Sequence, residues 1–394
     1  MDAKSIFLNH LAQTSPHPLA LEIEHAKGSY LFDTAGKAYL DLISGIAVSN
    51  IGHSHPEIVK AVKDQAEKYM HVMAYGEFIQ GPQNQLAQRL NDLLPDGLDS
   101  SYFVNSGAEA NEGALKLAKR ITGRTEIIAF NKSYHGSTHG ALSVSGNEVK
   151  KNAFRPLLPG IKFINFNNVE DLSLISSNTA AVIIEPIQGD AGVRIPDENY
   201  LKALRDRCNE TGTQLIFDEI QTGFGRTGKL FAFEHYKVVP DILTIAKAFG
   251  GGMPIGAFIS SKASMDLLTY DPMLGHITTF GGHPVNCAAA LANIYVIESE
   301  GLVEHVESKG ALLESLIANP IIKEIRRKGL MFAIEFESAD MVQKIVMKCI
   351  EKGVITFWFL SCPESFRIAP PINISDEEIR IGAKAIQEAI AESH

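Results

Sequence analysis

Long apolar runs, clusters of basic residues and paired cysteines are all missing from this 394-residue chain. No stretch approaches the roughly 18 uncharged apolar residues that a membrane span requires, so none is expected. The opening MDAKSIFLNHLAQTSPHP has no apolar core ahead of a small-residue cleavage site and does not read as a secretory leader. Cys208, Cys287, Cys349 and Cys362 are scattered without paired spacing. That argues against a disulfide framework and structural zinc, and for a reducing, cytoplasmic compartment. Lys and Arg total 36 against 46 Asp and Glu, a formal net charge of -10, and no basic run offsets it. Nucleic acid is therefore not an expected partner. The 32 glycines follow no three-residue period, which excludes a collagen-like fibre.

What remains is 45% hydrophobic and 21% charged, the composition of a globular α/β enzyme with many loops. YLFDTAGKAYLDLISG places two strand-like runs around a turn, a hairpin over residues 30–43. PEIVKAVKDQAEKY carries Ile58, Val59, Val62 and Ala66 at helical spacing, and NQLAQRLNDLLP repeats the pattern up to Pro95. From about residue 101 the chain alternates short apolar runs with helical stretches: SYFV, TEIIAF, AAVIIEPI, TQLIFDEI, DILTIAKAF and GAFISS. Such alternation predicts a mostly parallel sheet with both faces covered. A long helix follows at HPVNCAAALANIYVIES. The closing SDEEIRIGAKAIQEAIAES carries a capping box of Ser375 and Glu378. The expected partition is a large domain over 51–285 and a smaller α+β domain, formed by 1–50 and 286–394 together.

Three polar features end predicted buried strands, where ligands bind in open α/β sheets. In NSGAEA, residues 105–110, small residues let backbone amides approach an anion at a helix start, although a tight turn alone fits the same letters. Asp218 follows three apolar residues in LIFDEIQTGFGRTG, and a buried acid needs a partner, either a cation or a turn that it caps. Lys247 closes the run DILTIAK before three glycines, which suits a Schiff-base amine as well as a structural lysine. Together the three suit one ligand: a phosphate at one end, a pyridinium at the other and an aldehyde between.

The run LIFDEIQTGFGRTGKLFAFEHYKVVPDILTIAKAFGGGMPIGAFISS resembles the signature of class III aminotransferases, the group of acetylornithine, ornithine and 4-aminobutyrate aminotransferases. YLDLISGIAVSNIGHSHP, NSGAEANEGALKLAKR, YHGSTHGALS, EPIQGDAGV, TTFGGHPVNCAAA and FRIAPP extend the resemblance from about residue 28 to 371. It implies a fold-type I pyridoxal-phosphate-dependent transferase with a mostly parallel seven-stranded sheet, working as a homodimer with shared active sites. It implies the cofactor pyridoxal 5'-phosphate, with Lys247 as its Schiff-base lysine and Asp218 at the ring nitrogen. By the same resemblance Ser106, Gly107 and Ala108 hold the phosphate, Tyr134 and Ile220 flank the ring, and Gln221 lies near its phenolic oxygen. Thr279 is supplied by the neighbouring subunit. Arg367 before A-P-P binds a substrate carboxylate, and Glu185 and Asp190 are acids that answer it. The implied reaction is ping-pong transfer from an ω-amino acid or diamine, N-acetylornithine or ornithine foremost, to 2-oxoglutarate.

The chain departs from that pattern at several places. Ser137 stands where the related enzymes carry an arginine after H-G, which removes a cationic carboxylate ligand. Pro16 replaces an N-terminal tyrosine of ornithine aminotransferases. Phe357, Trp358 and Phe359 fit either an apolar substrate pocket or core packing. An aminomutase or racemase would share much of the cofactor site. A regulatory protein on the same fold would be expected to lose Lys247 or Asp218, and both are present. His53 with His55 and His135 with His139 have no third ligand in reach of the sequence pattern, so no metal site is expected.

Overall fold

The computed structural model describes residues 2–74 and 76–393. Its centre is a seven-stranded sheet. From one edge the strands run Ser100–Val104, Gly256–Ser260, Ile242–Ile245, Gln214–Asp218, Thr179–Ile184, Glu126–Phe130 and Ile161–Ile164. Gly256–Ser260 is antiparallel to both neighbours, and the other pairings are parallel. Every residue of Thr179–Ile184 is buried, as are all of Ile242–Ile245 and all but the first of Gln214–Asp218. These continuous apolar runs have helices on both faces to bury against.

The helix Gly107–Thr122 lies close against this sheet because its inner face is small. A Cβ at Gly113 would collide with the Phe258 ring. That close approach fixes where the helix begins, and its beginning is one wall of the site. The helix Pro284–Ser299 packs on Pro56–Lys68 and Gly81–Leu93. Only part of the apolar stripe read on Pro56–Lys68 is inward: Ile58 is buried, whereas Val59 is exposed. The two residues are about 100° apart around a helix and only one can face its neighbour.

The N-terminal hairpin Tyr30–Asp33 and Ala38–Asp41 forms as expected, with Ile23–Lys27 on its outer edge. Its inner strand pairs in parallel with Val354–Ile355, so the two ends of the chain share one four-stranded sheet. A second four-stranded sheet orders Glu324–Lys328, Met331–Glu335, Ser365–Ile368 and Phe357–Trp358. The last helix, Asp376–Ser393, starts on the expected capping box: Ser375 Oγ accepts from the Glu378 amide at 3.2 Å, and Glu378 accepts from the Ser375 amide at 2.8 Å.

Candidate active site

The ends of the central strands enclose a cavity of about 520 Å³, a size that suits a small ligand. Ser106, Gly107, Ala108, Tyr134, Glu185, Asp218, Ile220, Gln221 and Lys247 line it. Nine of the twelve residues singled out from the sequence thus meet at one recess, although they span residues 106 to 247 of the chain. Asp190 and Arg367 stand outside this lining, paired with each other at 3.3 Å. Thr279 is exposed and does not line the cavity of its own chain.

Ser106 caps the helix Gly107–Thr122, its Oγ accepting from the Glu109 amide at 3.2 Å. The next two amides, of Gly107 and Ala108, have no partner among the described residues. They belong to the helix's first turn, where donors stay free for an anion. Glycine at 107 lets Ile220 come close: a Cβ there would stand 2.7 Å from Ile220 Cδ1, and that side chain would have to shift. The close approach brings the Ile220 side chain onto the floor beside those amides.

Asp218 ends its strand with 4% of its surface exposed. One carboxylate oxygen accepts from Asn111 Nδ2 at 2.8 Å and is 2.7 Å from His135 Nδ1, while the other accepts from the Ile220 amide at 3.1 Å. Asn111 is fixed in turn: Thr244 Oγ1 donates to its Oδ1, and its amide also donates to the His135 carbonyl. Such a network holds a buried carboxylate in one orientation. Sequence reasoning did not select Asn111 or His135 as site residues. The signal for Asn111 was available: it lies one helical turn past Gly107. His135 was weighed as a metal ligand and serves instead as a partner of Asp218. His53 likewise bonds Asp41, at 2.8 Å.

Lys247 follows the strand Ile242–Ile245 and sits at φ +47°, a strained conformation for a non-glycine residue and one typical of functional sites. Its ammonium makes no ion pair among the described residues, and burial pulls its pKa below the ordinary lysine value, against the opposing field of Asp218. Burial pushes Glu185 up to about 7. Its two oxygens accept from the amides of Tyr134 and Gly189.

Phe359 does not line the cavity. It is buried in a small cluster with Ile187, Val193 and Met331, and its ring lies 4.4 Å under the Arg367 guanidinium. Trp358 packs against the main core, stacked on Phe357. The aromatic tract therefore serves packing and supports Arg367, one of the two uses its sequence allowed. Among the described residues, Glu335, Cys362 and Glu364 are close enough together to hold a metal ion, but Arg326 and Lys323 already pair with Glu335.

The family described as aminotransferase class III matches residues 11–390. The acetylornithine aminotransferase of Methanocaldococcus jannaschii is 43% identical over 390 residues, covering 95% of this chain and 94% of that protein. A [LysW]-aminoadipate semialdehyde/glutamate semialdehyde transaminase of Sulfolobus acidocaldarius is 41% identical over 94% of this chain and 95% of its own length. Among solved structures, the ornithine aminotransferase of Toxoplasma gondii superposes with a TM-score of 0.92 at 32% identity, covering 98% of this chain and 93% of that one. The chain belongs to the class III aminotransferases. It is a pyridoxal-phosphate-dependent enzyme with the fold of that group.

Proposed function

We propose that this enzyme moves the amino group of an ω-amino acid or diamine, N-acetylornithine or ornithine foremost, to 2-oxoglutarate, with Lys247 as the catalytic amine. The observation that carries the reading is one cavity holding both a desolvated lysine and a buried carboxylate fixed by Asn111 and His135. The similarity to acetylornithine and ornithine aminotransferases supports the choice of donor.

The residues present fit pyridoxal phosphate. A cradle of two free amides at a helix start suits its phosphate. Asp218 suits its ring nitrogen. When bound, the group supplies an aldehyde that condenses with amines and a ring that takes up the electrons released at the substrate carbon. In this reading Gly107, Ala108 and Ser106 bind the phosphate, and Tyr134 and Ile220 bracket the ring. Gln221, which lines the same cavity, would lie near the phenolic oxygen. Lys247 is more often neutral than an exposed lysine because burial disfavours its charge, so Nζ can attack a carbonyl carbon and accept a proton from the substrate's amine-bearing carbon. Arg367 grips a substrate carboxylate, and Asp190 balances its charge when that carboxylate is absent. The donor would leave its amino group on the bound cofactor and depart before the acceptor enters the same cavity, so the kinetics are ping-pong.

A donor panel with 2-oxoglutarate tests the assignment, using N-acetylornithine, ornithine, 4-aminobutyrate, lysine, diaminobutyrate and simple monoamines. An ω-amino acid or diamine is expected to give the highest kcat/KM, and a clear preference for a simple monoamine would overturn the substrate class.

A homodimer completes the reading. Met70, Phe78, Ile79, Ile277 and Phe280 are exposed, and His71 packs on Phe280 at 5.1 Å, so the two segments form one apolar surface. Surfaces of this kind mark protein interfaces. There Thr279 of the partner subunit would reach the phosphate. Ile79→Glu is expected to weaken association by at least about 30-fold, the scale of losing a central apolar anchor. Sedimentation equilibrium checks it, and activity should fall with the dimer fraction. No described helix is long and apolar enough to cross a membrane. The four cysteines are buried and unpaired, which supports a cytoplasmic enzyme.

A further inference from the structure

Lys150 is a cation that neither the strand-end motifs nor the family resemblance picks out. Its Nζ lies 2.8 Å from Asp190 Oδ2 and 3.4 Å from Ser361 Oγ, and 5.3 Å from the centroid of the Tyr134 ring. It lines a second cavity of about 420 Å³, which shares Tyr134 and Ser137 with the main one. The Tyr134 hydroxyl is in turn 3.3 Å from Ser137 Oγ. A lysine charge therefore lines the adjoining cavity together with Ser137, the serine that occupies the arginine position of the resembling enzymes.

The bonds of Asp190 divide unevenly. Its Oδ2 takes two short bonds, from Lys150 at 2.8 Å and from Ser361 Oγ at 2.7 Å. Its Oδ1 takes two long ones, from Arg367 Nη2 and the Leu360 amide, both at 3.3 Å. Charge-assisted bonds of full strength lie near 2.7–2.9 Å, so Lys150 holds this carboxylate more firmly than Arg367 does. Arg367 is buried, keeps no other ion pair among the described residues, and its Nε has no hydrogen-bond partner. Two cations thus share one carboxylate, and the positive surplus falls on the buried guanidinium.

We propose that Lys150 is a specificity-determining positioning residue: by holding Asp190 it leaves Arg367 charged and available to a substrate carboxylate. The inference rests on the reading of Arg367 as the carboxylate-binding group. Without Lys150, Asp190 would have Arg367 as its only cationic partner, and an incoming carboxylate would have to displace it. With Lys150, the carboxylate can bind while Asp190 stays where it is. The lysine acts through the acid and touches neither the cofactor nor the reacting atoms.

Calorimetric titration of the holoenzyme with glutarate, an unreactive dicarboxylate with the acceptor's carbon spacing, tests this without turnover. Lys150→Gln is expected to weaken glutarate at least about fivefold, the scale of one partly exposed charge acting beside a buried anion site. Lys150→Arg should retain wild-type affinity. The deciding variant is Lys150→Gln combined with Asp190→Asn. Once the competing charge is gone the lysine is not needed, and affinity should return to within about twofold of wild type. In turnover, KM for the dicarboxylate acceptor should rise in Lys150→Gln with kcat little changed. Unaltered glutarate binding in Lys150→Gln would sink the proposal. So would failure of the double variant to recover, which would instead mean direct contact between Lys150 and the ligand. Arg367→Ala separates the layers. If it binds glutarate like wild type, the carboxylate reading of Arg367 is wrong. If it loses binding while Lys150→Gln does not, only the role of Lys150 is wrong.

Discussion

Replacing Lys247 with alanine is expected to lower kcat by at least about ten-thousand-fold, since it deletes both a nucleophile and the group that moves the proton. No other lysine lines the cavity. Lys150, the other lysine identified beside it, is bound to Asp190. Arg367 cannot substitute, because a guanidinium does not give up its proton at working pH. The variant should still fold, because Lys247 makes no ion pair to lose among the described residues and its desolvation is a cost to the native state. Purified wild type should be yellow with bound cofactor and give a borohydride-stable lysine adduct. The alanine variant should give neither. An active variant would require a different amine and would end the case for Lys247.

Asp218→Asn should cost about 100- to 1,000-fold in kcat, the range seen when one preorganised electrostatic partner of a reacting group is removed. The asparagine nearly preserves shape but removes the negative charge, and it turns an amide NH₂ toward a site filled with donors from Asn111 and His135. Cofactor affinity should fall together with kcat, while circular dichroism of the apoprotein stays close to wild type. A kcat within about threefold of wild type would show that the carboxylate charge plays no part in the chemistry.

Much of the fold was legible because buried parallel strands announce themselves as continuous apolar runs. Thr179–Ile184, Gln214–Asp218 and Ile242–Ile245 were read on that basis, and they carry the acid and the lysine to the mouth of the sheet. Several others were not, Ile161–Ile164 and Glu324–Lys328 among them. Ile161–Ile164 lies on the sheet edge with Lys162 exposed, so its pattern is too short and too mixed to stand out. Glu324–Lys328 is mostly charged and is held by pairing with Met331–Glu335 and by ion pairs of Arg326 with Glu324 and Glu335. Only tertiary contacts make such a segment a strand.

The site was legible in the same uneven way. Residues at strand ends and beside glycines were found, because their positions are strange for a structural role. Asn111 and His135 were not: the place of Asn111 one helical turn past Gly107 was a signal left unread, and His135, in a loop, carries no mark of the carboxylate it will meet. Asp190 and Arg367 were found, but Lys150 was not. Its importance depends on two partners, 40 and 211 residues farther along the chain, Asp190 and Ser361.

The reversed strand Gly256–Ser260 lies between Ser100–Val104, which leads into the phosphate cradle, and Ile242–Ile245, which leads to the lysine. Those two strands have no direct pairing with each other, and within the sheet this insert joins them. A nascent chain still on the ribosome therefore cannot assemble the complete recess until residue 260 has cleared the exit tunnel, however early its other strands have formed. Vitamin capture should accordingly come late in biogenesis, and chains stalled before that point should stay colourless.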